Sequence, residues 1–321
     1  MKKNILGIDI GGTKTAIIYA QETSGGIEII DKVVFTTTVV DDTLNNIMMH
    51  LQQMLEKYGL SPQNTAAIGI SCGGPLDNEK GIIMSPPNLP GWDNIHIVKM
   101  ISDRFHIPCA IQNDANACAL AEWKFGAGKG TKNMVFLTFG TGLGAGIIIN
   151  GRLYSGTNGN AGEVGHIRLD NFGPVGYGKA GSFEGFCSGS GIAQLAKMKA
   201  LEKLQMGESV SYCKSIQEIE SITAKAVAEA AANGDELALE IYKISGYYLG
   251  KGLSILIDIL NPELIVIGSI YERAGHLLNP SMMEVIKRES LPLSQHVCKI
   301  IPAGLGEQIG DFASLSIAAC I

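Results

Sequence analysis

Residues 7–17 read GIDIGGTKTAI and place two glycines, a threonine and a lysine between two apolar stretches. The stretch is similar to the phosphate loop G-x-x-x-x-G-K-[ST], but Thr13 stands between Gly12 and Lys14, so the spacing is longer by one residue. The next segment, TAIIYA, is β-branched and favours a strand over the helix that a phosphate loop requires. The stretch therefore predicts a strand–turn–strand hairpin, which is either a plain hairpin or a different clamp for phosphate.

A second stretch, residues 135–150, repeats this pattern. VFLTFGTGLGAGIIIN, like ILGIDIGGTKTAIIYA at 5–20, has an apolar strand, a turn with Gly and Thr, and a second apolar strand. Two such units predict two related lobes, although a chance pair of hairpins is the alternative. GTGLGA at 140–145 also fits a dinucleotide fingerprint, but that motif opens a helix, whereas a strand and an NG turn follow here, so nicotinamide binding is disfavoured.

The composition is that of a compact soluble protein with ample core. The 321 residues are 46% hydrophobic and 17% charged, and the formal net charge of −6 gives no basic footprint for nucleic acid. The seven cysteines occur singly and mostly in apolar runs, which predicts buried free thiols in a reducing compartment. Neither a signal peptide nor an apolar run of about 20 residues is recognisable, so we expect a cytoplasmic protein without a membrane helix.

Strands alternate with helices along the chain, which predicts a largely parallel or mixed sheet with helices on its faces. We expect the strands at 4–10, 15–20, 27–35, 66–72, 108–112, 134–139, 145–150 and 263–269. We expect the helices at 41–58, 94–105, 184–205, 222–232 and 234–260, with a last one near Gly310.

The two glycine turns are candidates for binding phosphate. Glycine lets backbone N–H groups approach phosphate oxygens, and Thr13, Lys14 and Thr141 add side-chain donors. Asp9 ends the first strand, where a carboxylate can hold Mg²⁺ directly or through water.

Asp114, in the segment QNDANACALAE, lies between a predicted strand and a helix. Asp is a preferred N-cap, so a purely structural role is open. The alternative is a general base that takes the proton of an attacking hydroxyl during phosphoryl transfer, and the two roles are compatible.

Glu163 and His166 are spaced as E-x-x-H within GNAGEVGH. On a helix this spacing places two metal ligands on one face, but Gly162 and Gly165 favour a loop that presents both side chains to a ligand such as a sugar. The loop SPPNLPGW offers Asn88, and we expect Trp92 in this loop to pack in the core.

Together these stretches resemble the ROK family of repressors and kinases, within the actin, hexokinase and Hsp70 superfamily. The resemblance rests on GIDIGGTKTAI, GGPLD, NLPGW, NDANACALAE, the stretch from FGTGLGAG to GEVGH, GSFEGFCSGSGI, NPELIVIGS and IGDFASLSIAA. It implies a two-lobed actin-like ATPase (ribonuclease H-like) fold with a central cleft, and a homodimer. We expect a small lobe at 1–115, completed by a C-terminal helix at about 305–321, and a large lobe at 116–304.

The resemblance also implies roles for residues of this chain. Asp114 would be the catalytic base. The implied sugar contacts are Gly74, Asn88, Asn113, Glu163, His166 and Glu184. The implied nucleotide contacts are Asp9, Gly11, Gly12, Thr13, Lys14, Thr141, Gly142, Gly144 and Gly268. Ser269 stands where a second glycine is usual.

One element of the family pattern is missing. Many members carry zinc on C-x-C-G-x-x-G-C-x-E, and here Val175, Tyr177 and Ser182 stand at the cysteine positions. None of them replaces a thiolate, so no zinc is expected.

These features predict an ATP- and Mg²⁺-dependent kinase that phosphorylates a hexose hydroxyl, with O6 of glucose or a related hexose as the first expectation. An N-acetylhexosamine or a β-glucoside is the alternative substrate. A sugar-responsive regulator and an ATPase without transfer are more distant alternatives; the family's repressors add an N-terminal helix-turn-helix, whereas the first predicted strand begins by residue 4.

Overall fold

The computed structural model describes residues 2–321. The chain divides into two compact units, the first comprising residues 1–130, 146–161 and 304–321, and the second residues 131–145 and 162–303.

The first five-stranded sheet has the order β3-β2-β1-β4-β7. Its strands are β1 (Lys3–Ile10), β2 (Lys14–Thr23), β3 (Gly26–Thr36), β4 (Thr65–Cys72) and β7 (Cys109–Asn113). β1, β2 and β3 pair antiparallel, whereas β4 pairs parallel with both β1 and β7. The intervening loop carries a small pair, β5 (Leu76–Asp77) and β6 (Ile82–Ile83).

The second five-stranded sheet has the order β10-β9-β8-β13-β14. Its strands are β8 (Met134–Phe139), β9 (Leu143–Ile149), β10 (Arg152–Tyr154), β13 (Leu264–Ile267) and β14 (Lys299–Pro302). β13 pairs parallel with β8 and β14, as β4 does with β1 and β7. A further two-stranded pair is β11 (Val175–Gly176) with β12 (Lys179–Ala180).

The helices bury apolar faces against these sheets or against one another, except for α9, which has no buried residue. They are α1 (Val40–Tyr58), α2 (Ile97–Phe105), α3 (Asp114–Phe125), α4 (Phe183–Cys187), α5 (Gly189–Gln205), α6 (Ala224–Ala232), α7 (Glu236–Leu260), α8 (Ile270–Glu289), α9 (Pro292–Val297) and α10 (Ile309–Ala318). In the first unit, α10 approaches the sheet backbone so closely that a Cβ on Gly69 would lie 2.1 Å from the carbonyl oxygen of Ser314. The glycines of β1 and β4 therefore allow α10 to pack directly on the first sheet.

The predicted strands and helices are confirmed, with corrections to one predicted helix and one predicted loop and with several elements that were not predicted. The helix predicted at 184–205 is two helices, because Ser188 adopts an extended conformation and its hydroxyl accepts the N–H of Gly191, which caps α5. Helices α8 and α9 and the strands β11, β12 and β14 were not predicted from the sequence, and α8 contains Pro280. The loop at 73–92 contains the β5–β6 pair.

The cysteines are free thiols among the described residues, and Cys72, Cys187 and Cys213 are buried as expected. Cys320 is exposed, so the prediction of burial is wrong for that residue. Within residues 2–321, no helix has the length and apolarity needed to cross a membrane.

Candidate active site

In the first unit, three neighbouring parallel strands end at one edge of the sheet. The register aligns Ile10 of β1 with Cys72 of β4, and Cys72 with Asn113 of β7. Asp9, the glycines after Cys72, and Asp114 therefore come to the same edge, where the carboxyl ends of parallel strands commonly hold ligands.

The turn between β1 and β2 is the stretch Gly11–Gly12–Thr13. The N–H of Gly11 donates to the carbonyl of Lys14 at 3.0 Å, and the hydroxyl of Thr37 donates to the carbonyl of Gly11 at 2.7 Å. Gly12, Thr13 and Lys14 are exposed at the tip. The predicted hairpin without a following helix is thus confirmed. Its turn is held by Thr37, a residue that was not predicted to have this role.

Asn88 packs against two glycine positions of this edge. A Cβ on Gly12 would lie 2.6 Å from the backbone oxygen of Asn88, and a Cβ on Gly73 would lie 3.1 Å from its side-chain oxygen. A Cβ on Gly74 would meet nothing within 4 Å, so packing does not require glycine there. Trp92 is 1% exposed and packs in the core, as predicted.

Asp9 is a half-buried carboxylate in an acidic environment. Burial, followed by the charges of Asp311 and Asp114, raises its pKa from the ordinary 3.8 to about 6, against an opposing effect of Lys32. A Cβ on Gly310, in the first turn of α10, would lie 3.1 Å from the Asp9 carboxylate. The proximity of Gly310 and Asp311 to the Asp9 carboxylate was not predicted, although both residues belong to the C-terminal motif IGDFASLSIAA.

Asp114 is the first residue of α3, and its neighbour Asn113 is the N-cap. The side-chain oxygen of Asn113 accepts the N–H of Asn116 at 2.7 Å. The N-cap role considered for Asp114 is therefore wrong by one residue, although one oxygen of the Asp114 carboxylate accepts the N–H of Ala115 at 2.8 Å. Asp114 remains in contact with solvent, yet surrounding protein atoms partly desolvate its carboxylate and raise its pKa.

In the second unit, the corresponding turn is formed by residues 140–142. The N–H of Gly140 donates to the carbonyl of Gly142 at 3.1 Å, and the Thr138 hydroxyl accepts the N–H of Gly144 at 3.0 Å. Thr141 is exposed at the tip, and its carbonyl accepts the hydroxyl of Ser190 at 3.0 Å.

Glu184 joins this turn to the segment 163–166. One carboxylate oxygen of Glu184 accepts the N–H of Leu143 at 3.0 Å, and a Cβ on Gly142 would lie 2.8 Å from the same oxygen. A Cβ on Gly165 would lie 2.2 Å from the carbonyl oxygen of Leu143, so only glycine lets the segment approach β9 so closely. These contacts bring two groups of predicted site residues together within one unit.

Residues Val164–His166 form a single 3-10 turn, with Glu163 exposed and His166 half-buried. The E-x-x-H pair is thus not carried by an α-helix, in agreement with the loop expected from the flanking glycines.

Gly268 and Ser269 follow β13, whose register with β8 brings them to the edge that carries the 140–142 turn. Ser269 has φ 62° and ψ −110°, a conformation that glycine adopts more readily, and its N–H donates to the carboxylate of Glu272 at 2.6 Å. Serine therefore stands at a backbone position where glycine would be unstrained.

The residues at the family's zinc positions do not fit a metal. The Ser182 hydroxyl accepts the N–H of Gly185 as the N-cap of α4, Val175 offers no donor atom, and Tyr177 is exposed. Among residues 2–321, no three His, Cys, Asp or Glu side chains are grouped to hold a metal ion.

Comparison with known proteins identifies the class. The ROK family profile matches residues 5–319, and the chain belongs to the ROK family. The α/β, two-lobed, actin-like ATPase fold predicted from the sequence is thereby confirmed.

Three similar proteins illustrate the range of functions within the ROK family. A glucokinase of Halalkalibacterium halodurans is 33% identical over 310 residues, which cover 95% of this chain and 92% of the relative. A ROK glucokinase from Streptomyces griseus, solved with glucose and AMPPNP, has a TM-score of 0.74 at 28% identity and covers 99% of this chain and 100% of that one. A ROK transcriptional regulator, a homologue of the E. coli MLC protein, has a TM-score of 0.83 at 28% identity and covers 98% of this chain and 77% of that one.

Proposed function

We propose that this protein is an ATP-dependent hexose kinase that transfers the γ-phosphoryl group to a sugar hydroxyl, with O6 of glucose or a related hexose as the acceptor. The observation that carries the proposal is Asp114, a partly desolvated carboxylate at the start of α3, one oxygen of which accepts the N–H of Ala115 at 2.8 Å while the other is available to a ligand. A raised pKa suits a general base, because the group binds the hydroxyl proton more readily than an ordinary aspartate would.

The other predicted residues divide between the two ligands. Backbone N–H groups of the 11–13 turn, with the side chains of Thr13 and Lys14, would bind phosphate oxygens, and the turn at Thr141, Gly142 and Gly144 would do the same. Gly268 would lie near the adenosine. The sugar hydroxyls would be bound by the remaining set, which is Gly74, Asn88, Asn113, Glu163, His166 and Glu184.

Mg²⁺ fits the first unit. Asp9 offers carboxylate oxygens in a site of excess negative charge, and Mg²⁺ is commonly bound by one or two carboxylates together with substrate phosphates. Asp9 would hold the ion directly or through water, and the ion would supply charge neutralisation of the phosphates.

A screen of ADP release tests the proposal. Wild-type protein with Mg²⁺-ATP is assayed against glucose, mannose, fructose, N-acetylglucosamine, N-acetylmannosamine and a methyl β-glucoside, and the product is identified by mass spectrometry. Asp114→Asn should lower kcat by about 10²–10⁴ while sugar binding persists. The control Asp103→Asn removes an exposed carboxylate paired with Lys99 and should leave kcat unchanged. Near-normal turnover by Asp114→Asn would refute the assignment of the base.

A sugar-responsive regulator is the second candidate, because the ROK regulator gives the higher TM-score of the two structures above. Sugar binding without transfer to any acceptor in the panel would favour it over the kinase. We also propose a homodimer, as family membership suggests, which light scattering of the purified protein would test.

A further inference from the structure

The β11–β12 hairpin has a two-residue turn made by Tyr177 and Gly178. The pair Gly176–Lys179 closes it, and both turn residues have positive φ, 44° for Tyr177 and 75° for Gly178. Such turns favour Asn or Asp followed by Gly, because an ordinary side chain at positive φ is strained. A tyrosine at the first position is therefore not explained by the conformation of the turn.

Core packing does not explain this tyrosine either. The Tyr177 side chain is 70% exposed, and its ring lies edge-on to the His166 imidazole, with 5.2 Å between centroids and 77° between planes. On the following strand, the ammonium of Lys179 donates to the backbone oxygen of His166 at 2.8 Å. The hairpin thus contacts one predicted sugar-binding residue at two points.

The base of the hairpin is fixed without a metal. The Gln194 amide accepts the N–H of Val175 and donates to its carbonyl, both at 2.9 Å. A Cβ on Gly176 would lie 2.6 Å from the backbone nitrogen of Gly185, so the hairpin packs directly on the start of α4. These contacts fix the backbone of the hairpin and therefore the position of its turn.

We propose that Tyr177 contacts the sugar and determines specificity, a role that rests on the hexose kinase function proposed above. The exposed ring forms an apolar wall beside His166, and the substrate class that it fits is a pyranose with a continuous C–H face. Glucose has such a face, because its ring hydroxyls are equatorial. In the chair of glucose the C–H bonds at C2 and C4 are axial on one face of the ring, and an axial hydroxyl replaces the first in mannose and the second in galactose. The opposite face is the same in all three sugars. Tyr177 packs on the face that carries C2–H and C4–H, and it therefore favours glucose over these two epimers.

The test compares kcat/KM for glucose, mannose and galactose across four proteins: wild type, Tyr177→Phe, Tyr177→Asn and Phe172→Ala. Asn is favoured at this position of the turn, so Tyr177→Asn should keep or raise Tm. The same variant should lower the preference for glucose about tenfold, because the loss of one aromatic contact changes the binding constant by about that factor. Tyr177→Phe should retain the preference. Phe172→Ala is the matched control, since Phe172 is an 84% exposed aromatic of the same loop.

A Tyr177→Asn preference within twofold of wild type, or an equal loss in Phe172→Ala, would overturn the proposal. If the wild type phosphorylates none of the sugars, the kinase proposal fails, and equilibrium dialysis with labelled glucose, mannose and galactose still tests Tyr177. The measured affinities are then compared in place of kcat/KM. If Tyr177→Asn binds the three sugars in the same order of affinity as the wild type, the proposed role of Tyr177 is wrong.

Discussion

The carboxylate of Glu184 accepts the backbone N–H of Leu143 at 3.0 Å, so a predicted sugar-binding side chain also fixes the turn predicted to bind nucleotide phosphate. One carboxylate oxygen is committed to this bond, which leaves the other for a ligand. The position of the turn is therefore coupled to the residue that would hold the sugar.

Two substitutions separate these roles. Glu184→Gln keeps an oxygen that can accept the Leu143 N–H, so Tm should stay close to wild type while KM for the sugar rises. Glu184→Ala leaves the N–H without its partner and should lower the free energy of unfolding by about 1–3 kcal/mol and raise KM for ATP as well. Thermal unfolding and kinetics with both substrates check this, and equal effects of the two variants on KM for ATP would contradict the coupling.

Asn113 caps α3 and is predicted to bind sugar, and its variants separate the two functions. Asn113→Ala loses the bond to the Asn116 N–H and should destabilise the protein by about 1 kcal/mol. Asn113→Asp preserves an accepting oxygen but removes the amide donors, so it should keep Tm and raise KM for the sugar. An unchanged sugar KM in Asn113→Asp would argue that Asn113 is only a cap.

The periodic and repeated features of the chain were readable from its sequence. The repeat of GIDIGGTKTAI at 135–150 predicted two related lobes, and the strand orders β3-β2-β1-β4-β7 and β10-β9-β8-β13-β14 confirm the repeat, strand for strand. Local apolar patterns suffice for such features, because each strand and turn is specified within a few residues.

Features that depend on distant residues were not readable. The charge of Asp311 raises the pKa of Asp9 from the opposite end of the chain, and the Glu184–Leu143 bond spans 41 residues, so no local pattern predicts either interaction. The cap of α3 was misplaced by one residue, because Asn113 and Asp114 are both good N-caps and only the backbone conformation distinguishes them. The contact between Tyr177 and His166 could not be predicted either, because the family pattern has a cysteine at position 177 and says nothing about a tyrosine there.

The raised pKa of Asp9 predicts a pH-dependent stability cost. Between about pH 4 and 6 the native state retains a proton that the unfolded chain has released, so stability falls as pH rises through this window, and the cost is complete above pH 6. Asp9→Asn should therefore be more stable than wild type at pH 7.5 by about 2 kcal/mol, with the difference vanishing near pH 4, and should lose kinase activity. Urea unfolding at both pH values measures this.

Asp31 is the matched control, because its pKa is shifted in the opposite direction and its replacement should therefore change stability in the opposite direction. Its pKa is lowered by hydrogen bonds from Lys57 and Tyr58, so its contribution to stability is present above the ordinary pKa and is lost as pH falls. Asp31→Asn should accordingly be less stable than wild type at pH 7.5. A stability gain for Asp31→Asn, or none for Asp9→Asn, would contradict these assignments.

Glu122 is a fully buried carboxylate of α3 that accepts backbone N–H groups from two loops of the first unit. Ala127 donates to it at 2.7 Å, Gly304 at 3.0 Å and Leu305 at 2.9 Å. Glu122→Gln turns one accepting oxygen into an NH₂ group that faces these donors, and it should lower the free energy of unfolding by about 2–4 kcal/mol. Urea unfolding measures the loss, with Glu56→Gln as the control on an exposed carboxylate that accepts a hydrogen bond from the side chain of Gln52. A loss no larger than that of the control would show that these backbone groups do not need the charge of Glu122.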